Sequence, residues 1–325
     1  MQSKSRVDGR CSRGFTLSEL VVVLGVLIVL ASLILPAVFN SLEASRRTTC
    51  FSHLRQIGVA VASYEASYGS LPPAVTMSHT NEGGDLFGVL PRVLRYLEQE
   101  RIADSINWSL ALHEQPVIFH DLTISSVMRC PSDGNPSQEG VSFVFNSGAG
   151  GGVMNPSLVP ESQLGAFDLN QGLPLSAFHD GLSNTMMFSE RLFGEQKLGN
   201  YTDNTSRGDT RRGMAWIRGN PVPRNHPNEL LQRCVDVPNS HNQWLNGIQR
   251  HWGYPWYYNA LAVPNAAIYD CGYSPTFPVY GVITARSNHG GPVNVLFGDW
   301  RIETISGIEL EVWRAFATRN GEANE

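Results

Sequence analysis

The stretch RGFTLSEL at residues 13–20, with the apolar run that continues to Phe39, decides the architecture of this chain. From Leu20 to Phe39 no side chain is charged, and fifteen residues are Leu, Ile, Val or Phe. At roughly 0.3–0.6 kcal/mol each, these residues favour insertion into lipid by about 5–9 kcal/mol. Glu19 opposes insertion by at most about 3 kcal/mol, because it lies near the end of the run. The run therefore predicts a helix long enough to span a bilayer.

The charges on either side of the run predict its orientation. The residues before Phe15 carry a net charge of +3, whereas the first basic residues after the run are Arg46 and Arg47. Because the more basic flank stays in the cytoplasm, we expect a single-pass protein of the cytoplasmic (inner) membrane with its N-terminus inside. The body would then be extracytoplasmic and available for assembly at the cell surface.

The small-residue site near the N-terminus differs from that of a secretory signal. Such a signal has an apolar region of about 7–15 residues followed by its cleavage site, whereas here the run is longer and Gly14 precedes it. The motif G-F-T-L-x-E resembles the type IV prepilin class. The resemblance implies a prepilin peptidase that cuts between Gly14 and Phe15 and methylates the new amine. Glu19 is then the fifth mature residue.

The acid at the mouth of the run has two interpretations. A carboxylate in a nonpolar medium requires a partner, and the free amine of Phe15 in a neighbouring subunit is one, which gives Glu19 a role in assembly. Alternatively, Glu19 reaches the headgroups as a simple interfacial acid, which serves a non-assembling anchor equally well.

One long helix is predicted to continue beyond the membrane-spanning run. Apolar residues recur at spacings of three and four from Cys50 to Tyr68, the period of a helix face, and are expected to pack on the rest of the protein. Gly69 and Pro72 end the pattern. We therefore expect a basic leader, a transmembrane part of the helix, its exposed half and a globular head, at residues 1–14, 15–39, 40–70 and 71–325.

The expected fold class is α+β, with the pilin-like N-terminal helix packed on a mainly antiparallel β head that carries extra loops. A second helix is predicted from Leu90 to Trp108, because Pro91 suits a first turn and apolar residues follow at helical spacing. A hairpin around Gly298-Asp299-Trp300 and a closing helix over 308–317 are predicted near the C-terminus. Further short strands are predicted at 117–119, 141–145, 186–188, 214–218 and 279–285.

Charge and cysteine content favour an exported protein that does not bind nucleic acid. The net charge is −5, and removal of the leader leaves −8, which disfavours binding to a phosphate backbone. Four cysteines lie outside the leader; they fit an oxidising compartment and allow three disulfide pairings, the alternative being four unrelated buried thiols. These cysteines are Cys50, Cys130, Cys234 and Cys271.

The segment 241–258 is rich in aromatic residues and has two interpretations. Exposed rings could stack on sugars or partner surfaces, whereas buried rings would cover a loop-rich core closed by Cys234 and Cys271. The second interpretation is favoured. The tryptophans in question are Trp244, Trp252 and Trp256.

Neither catalysis nor a cofactor is expected. The sequence contains no G-x-S-x-G, no H-E-x-x-H and no kinase motifs. His289 and Asp299 lie on or beside neighbouring hairpin strands and could meet, but a lone His–Asp contact is more often a structural hydrogen bond. Calcium is the alternative to no cofactor, since hard cations prefer several oxygen ligands. Its candidate ligands are Asp180, Asn184, Asp203 and Asp209.

Short motifs lie along nearly the whole chain, at residues 46–47 (RR), 54–58 (LRQIG), 71–73 (LPP), 94–99 (LRYLEQ), 130–133 (CPSD), 180–185 (DGLSNT), 190 (E) and 318–322 (TRNGE). With His289, nine residues and then Asp299, they resemble a large bacterial family of prepilin-like exported proteins, catalogued as domain of unknown function 1559. The family motif is His-x9-Asp-Gly, and this chain has Trp300 in place of the final Gly. The replacement implies a different turn or some strain. The resemblance also implies disulfides from Cys50 to Cys130 and from Cys234 to Cys271.

These features predict a prepilin- or pseudopilin-like subunit with a structural or assembly role in a type IV pilus or type II secretion-like system. Its expected partners are the prepilin peptidase, like subunits bound through the N-terminal helix, and the lipid membrane. The alternative function is a membrane-anchored extracytoplasmic module that binds a carbohydrate ligand.

Overall fold

A computed structural model of the chain describes residues 16–76, 86–115, 126–134, 140–152, 160–192, 210–217, 222, 226–236, 244–245, 256–273 and 280–321. The fold class is α+β, as the sequence predicts. The chain divides into two compact units, Met1–Ser45 and Arg46–Glu325.

The helices and strands of the described residues are as follows. The α-helices are α1 Leu17–Tyr68, α2 Val89–Val93, α3 Glu100–Ser105, α4 Pro227–Asp236 and α5 Leu310–Ala317. The strands are β1 Phe143–Asn146, β2 Met186–Glu190, β3 Met214–Trp216, β4 Trp244–Leu245, β5 Tyr257–Tyr258, β6 Asp270–Gly272, β7 Gly281–Val282, β8 Val293–Phe297 and β9 Ile302–Ile305. Short 3-10 helices lie at Leu94–Leu97, Leu112–Glu114, Ser126–Met128, Pro131–Asp133, Glu161–Gln163, Leu175–Ala177, Leu182–Asn184 and Thr210–Arg212.

The first unit consists, in its described part, of the N-terminal portion of α1. No side chain between residues 16 and 45 is buried, although most of them are apolar. By its length and composition α1 is a candidate membrane anchor, and it is the one helix among the described residues that meets this criterion.

The C-terminal portion of α1 belongs to the second unit and forms part of its core. Cys50, Leu54, Ile57 and Val61 are fully buried there, which confirms the predicted apolar face as far as Val61. Gly58 allows close packing, because a Cβ at that position would lie 3.0 Å from the side chain of Leu296. The prediction fails at Tyr68, whose side chain is 67% exposed.

A five-stranded sheet in the order β5-β1-β2-β8-β9 forms the centre of the second unit. Its strands pair antiparallel except for β1 and β5, which are parallel. Along β1, Phe143 and Phe145 pack in the same hydrophobic cluster as Cys50 and Leu54 of α1. Val144 between them packs in the cluster that contains Trp313 of α5. The sheet is therefore covered on one face by α1 and on the other by α5.

A second sheet, in the order β4-β3-β6-β7, packs its apolar residues with α4. A buried ion cluster joins it to the first sheet. Asp270 of β6 accepts hydrogen bonds from Arg191, which follows β2, at 2.7 Å, and from Arg286 at 3.1 Å. Burial alone would raise the pKa of Asp270, but Arg286, Arg191 and the backbone N–H of Thr284 together hold this pKa below its ordinary value.

The helix predicted from Leu90 to Trp108 is wrong as one element. The chain forms α2, a 3-10 helix and α3 instead, and Glu98 between the last two adopts a left-handed conformation with φ 58°. A left-handed residue interrupts the helical hydrogen-bond ladder, which apolar spacing alone does not reveal. Of the predicted strand at 279–285, the structure describes residues 280–285, and among these only β7 is a strand. The strand predicted at 117–119 lies outside the described residues.

The hairpin near the C-terminus is confirmed by the pairing of β8 with β9. Trp300, where the family resemblance implies a different turn or some strain, has φ +67°. A residue other than glycine in this left-handed backbone conformation costs roughly 1–2 kcal/mol. The turn therefore has the backbone conformation that suits glycine, and the tryptophan at this position is strained.

Candidate functional site

The described part of the N-terminal motif begins α1 with a capping box. The backbone N–H of Thr16 donates to Oε2 of Glu19 at 2.9 Å, and the N–H of Glu19 donates to Oγ1 of Thr16 at 3.3 Å. The spacing Thr-x-x-Glu is the sequence signature of this cap, so it was available from the sequence. Gly14 and Phe15, the residues of the predicted cleavage site, lie outside the described residues.

Both disulfides implied by the family resemblance are present. Cys50 of α1 bonds Cys130, 80 residues away, with the two Cα atoms 5.1 Å apart. Cys234 of α4 bonds Cys271 of β6 across 37 residues, with a Cα separation of 5.6 Å. The first disulfide holds α1 to the segment before Pro131–Asp133, and the second closes α4 onto the second sheet.

His289 lies against the first disulfide and a buried acid. Its Nε2 is 3.3 Å from Sγ of Cys130 and 3.5 Å from Oε1 of Glu190. Glu190, at the end of β2, accepts a hydrogen bond of 2.8 Å from Nδ2 of Asn294. One ligand atom from each of Cys50, Cys130, Glu190 and His289 lies within 4.8 Å of every other, and all four residues are buried. We call these four residues the His289 cluster.

A half-open cavity of about 390 Å³ adjoins the His289 cluster on one side. Arg47 lines it and donates a hydrogen bond to the backbone carbonyl of His289. Its lining residues are Arg47, Thr48, Phe51, His289, Pro292, Asn294 and Thr304.

The two residues of the C-terminal family motif do not meet. His289 precedes β8, whereas Asp299 follows it and binds the backbone N–H and Nε of Arg301, each at 3.2 Å. The strand β8, which lies between them, has five residues and is roughly 16 Å long at 3.3 Å per residue. The expectation that His289 and Asp299 could form a contact is therefore wrong. His289 instead contacts a disulfide sulfur and a carboxylate. The absence of enzymatic activity stays a prediction.

Two of the four candidate calcium ligands have structural partners. Oδ2 of Asp180 accepts a 2.7 Å hydrogen bond from the backbone N–H of Gly321, and its carbonyl accepts one of 2.9 Å from Nδ2 of Asn184. The first bond holds the turn before Leu182–Asn184 to the C-terminal segment, and the second closes the turn itself. Asp203 and Asp209 lie outside the described residues, so calcium binding stays a prediction.

The tryptophans proposed for ligand stacking are described only in part. Trp256 is half-buried and packs against the clusters on both faces of the first sheet. Tyr257 and Tyr258, which follow it in β5, are buried. Trp244 lies in β4 with its side chain outside the described part, and Trp252 lies outside it entirely. The described rings of this segment thus contribute to the core.

A different group of rings forms an open cleft, which the sequence analysis missed. Among the described Phe, Tyr and Trp side chains of Arg46–Glu325, the exposed ones are Tyr68 and Trp108, at 67% and 43%. Both line one cleft of about 220 Å³. Tyr68 and Tyr64 are one helical turn apart, a spacing that places their rings together, but the apolar stripe assigned both to the core. The aromatic cleft is lined by Tyr64, Tyr68, Pro91, Arg92, Arg95, Tyr96, Ala103 and Trp108.

The aromatic cleft combines ring faces with hydrogen-bond donors. The guanidinium carbon of Arg92 lies 5.1 Å from the ring centre of Trp108, and Nη2 of Arg92 donates to Oγ1 of Thr76 at 2.8 Å. Arg95 pairs with Asp104 at 2.6 Å. Burial raises the pKa of Tyr64 although Arg92 lowers it, so the Tyr64 hydroxyl remains protonated at neutral pH.

Comparison with known proteins gives one match. No curated protein and no solved structure matches the chain. Residues 42–307 match the model of a family described as "Protein of unknown function (DUF1559)". This range includes the buried half of α1, the His289 cluster and both disulfides. Since the match covers well over half of the 325 residues, the chain belongs to the DUF1559 family.

Proposed function

We propose that the protein is an exported, membrane-anchored subunit of prepilin type, with a structural or assembly role in a type IV pilus or type II secretion-like system. The observation that carries the proposal is the contrast within α1. Every side chain from residue 16 to 42 is exposed, whereas Cys50, Leu54, Ile57 and Val61 are buried.

The exposed portion of α1 requires a cover. Soluble proteins rarely expose a contiguous apolar patch larger than a few hundred Å², and here apolar residues surround more than four helical turns. Lipid covers such a surface in a single-pass anchor, and the helices of like subunits cover it in an assembled fibre. The motif G-F-T-L-x-E supports an assembled fibre as well as a single-pass anchor, because it resembles the signal of assembling subunits.

Glu19 is the residue through which assembly would act. In the single chain its carboxylate accepts the N–H of Thr16, as a capping box does. After cleavage between Gly14 and Phe15, a free amine lies one residue before Thr16 and carries a charge opposite to that of Glu19. In a nonpolar setting such a pair is favoured over an isolated carboxylate, and a neighbouring subunit can supply the amine.

Substitution of Glu19 tests this role. Glu19→Ala removes the cap and the assembly carboxylate, and we expect normal processing and membrane location but loss of subunit–subunit cross-linking in membranes. Glu43→Ala, which removes an acid from the same helix beyond the apolar run, is the matched control and is expected to leave cross-linking unchanged. Equal cross-linking in wild type and Glu19→Ala would argue against an assembly role.

A second candidate function, carbohydrate binding by the head, is favoured by the aromatic cleft. The faces of aromatic rings carry partial negative charge that attracts the C–H faces of sugars. The guanidinium of Arg92 offers planar donors that suit sugar hydroxyls and carboxylates. A volume of about 220 Å³ accommodates one sugar ring of a longer chain better than a complete drug-sized ligand, whose pockets measure roughly 300–1,000 Å³.

This second candidate is tested with two soluble polymers, a polyuronate and a neutral glucan. Trp108→Ala and Tyr68→Ala are expected to weaken binding of a recognised polymer. Val59→Ala, which truncates an exposed side chain on α1 outside the cleft, is expected to leave it unchanged. If wild-type protein bound neither polymer, the carbohydrate proposal would be eliminated and the assembly role would be unaffected.

A further inference from the structure

The His289 cluster brings together the ligand set of a zinc site from residues far apart in the chain. Two sulfurs, an imidazole nitrogen and a carboxylate oxygen are the atoms that zinc binds in proteins, usually four at a time in a tetrahedron. The cluster supplies one atom of each required kind, plus the second sulfur, within 4.8 Å of one another. In the oxidised protein the two sulfurs are bonded to each other and do not bind metal.

We propose that the reduced form of this protein binds one zinc ion through Cys50, Cys130, His289 and Glu190. Re-formation of the Cys50–Cys130 bond, by exchange with the disulfide of an oxidised dithiol that is thereby reduced, releases the ion. The proposal is independent of the assembly role. It gives the junction between α1 and the segment before Pro131–Asp133 two alternative cross-links, a disulfide in an oxidising environment and a metal in a reducing one.

The distances in the cluster match a tetrahedral site. Zinc bonds of about 2.3 Å to sulfur and 2.0–2.1 Å to nitrogen or oxygen place a sulfur and a nitrogen about 3.6 Å apart, and a nitrogen and an oxygen about 3.4 Å apart. Nε2 of His289 lies 3.3 Å from Sγ of Cys130 and 3.5 Å from Oε1 of Glu190. Separation of the two sulfurs to about 3.8 Å is then the main change that metal binding requires.

Hydrogen bonds from neighbouring residues hold the ligands in place. Nδ2 of Asn294 donates to Oε1 of Glu190 at 2.8 Å, and Oγ1 of Thr304 donates to Oδ1 of Asn294 at 2.8 Å. Arg47 donates to the carbonyl of His289. Contacts of this kind orient metal ligands, and their removal typically lowers metal affinity by about 10–100-fold.

The redox step balances with a dithiol as reductant. A thiolate of the dithiol attacks the Cys50–Cys130 bond and forms a mixed disulfide, and the second thiol of the reductant resolves it. Two electrons and two protons pass to the cysteines, and the reductant leaves as its own disulfide. Zinc then binds both sulfurs as thiolates, and two protons are released to solvent. The thiolate is expected to attack Cys130, which is 8% exposed, because Cys50 is fully buried.

The test uses the detergent-solubilised full chain and thiol protection mapped by peptide mass spectrometry. Anaerobic protein is reduced with a dithiol, freed of reductant, incubated with or without Zn²⁺ and treated with an alkylating agent. We expect Zn²⁺ to slow alkylation of Cys50 and Cys130 at least ten-fold and to leave Cys234 and Cys271 unchanged. Equal alkylation of Cys50 and Cys130 with and without Zn²⁺ would overturn the proposal.

Cobalt titration provides the second readout. Reduced protein is expected to bind one Co²⁺ per chain with a thiolate-to-cobalt charge-transfer band, and oxidised protein is expected to show no such band. Glu190→Gln and Asn294→Ala should each weaken binding about 10-fold or more, whereas His226→Gln, on an exposed histidine near α4, should not. If the charge-transfer band showed equal Co²⁺ affinity for Glu190→Gln and wild type, the assigned ligand set would be contradicted.

Discussion

The buried ion cluster at Asp270 allows the sharpest test of how the two sheets of the head are held together. Asp270 is the carboxylate between Arg191 and Arg286, and all three side chains are at most 9% exposed. Asp270→Asn preserves the size of the side chain but leaves two guanidinium groups buried without their carboxylate. Loss of one partner of a buried ion pair typically costs about 3–5 kcal/mol. At roughly 2.1 cal/mol/K per residue for a unit of about 280 residues, this lowers Tm by about 5–9 °C.

The matched control is Asp104→Asn, which breaks the pair with Arg95. Both of those side chains are more than 60% exposed, so the expected loss is at most about 1 kcal/mol, or less than about 2 °C in Tm. The assay is thermal unfolding of the detergent-solubilised full chain, followed by circular dichroism at neutral pH. Equal Tm values for Asp270→Asn and Asp104→Asn would refute the reasoning from burial.

The pH dependence of the same variant gives the sign of the effect. The pKa of Asp270 is lowered in the folded protein from its ordinary value of 3.8. Its ionised form therefore stabilises the fold above that value, and this contribution is lost as the pH falls through the lowered pKa. The Tm difference between wild type and Asp270→Asn should be constant near neutral pH and shrink below about pH 4. A constant difference down to pH 2 would show that the charge of Asp270 is not the cause.

Two further predictions concern the disulfides and the C-terminal hairpin. Removal of the Cys50–Cys130 bond, which closes 80 residues, should cost about 4.5 kcal/mol in chain entropy, and removal of Cys234–Cys271, which closes 37 residues, about 3.8 kcal/mol. Denaturant unfolding of the two double-alanine variants measures both, and a negligible loss in either would contradict the entropic argument. Trp300→Gly should be about 1 kcal/mol more stable than Trp300→Ala, because only glycine adopts φ +67° without strain. A more stable alanine variant would show that the turn relaxes to another conformation.

Patterns that repeat along one element were predictable from the sequence. The apolar face of α1 follows the helical period, so Cys50, Leu54 and Ile57 were correctly assigned to the core. The β8–β9 hairpin was predictable because its two strands flank a short turn. Tyr68 shows the limit of this reasoning, since the helical face continues to it after the packing partner has ended.

Contacts between distant segments were not predictable in the same way. His289 meets Glu190, 99 residues earlier, and Cys130, 159 residues earlier, and no local period encodes these distances. The sequence spacing between His289 and Asp299 suggested a contact, but the two residues lie at opposite ends of β8. The aromatic cleft likewise brings Trp108 together with Tyr64 and Tyr68 of α1, which helical spacing along either segment does not encode. The disulfide pairings came from the family resemblance, because four cysteines alone allow three arrangements.

The central claim, that the exposed portion of α1 is the mature N-terminus of a membrane-anchored prepilin-like subunit, is tested most directly by one measurement. Protein from the membrane fraction is digested, and its N-terminal peptide is identified by mass spectrometry beside that of Gly14→Ala. We expect wild-type protein to begin at N-methylated Phe15 and Gly14→Ala to retain the leader. A membrane-bound wild-type protein that keeps residues 1–14, or a mature end beyond Phe39 in soluble protein, would contradict the account.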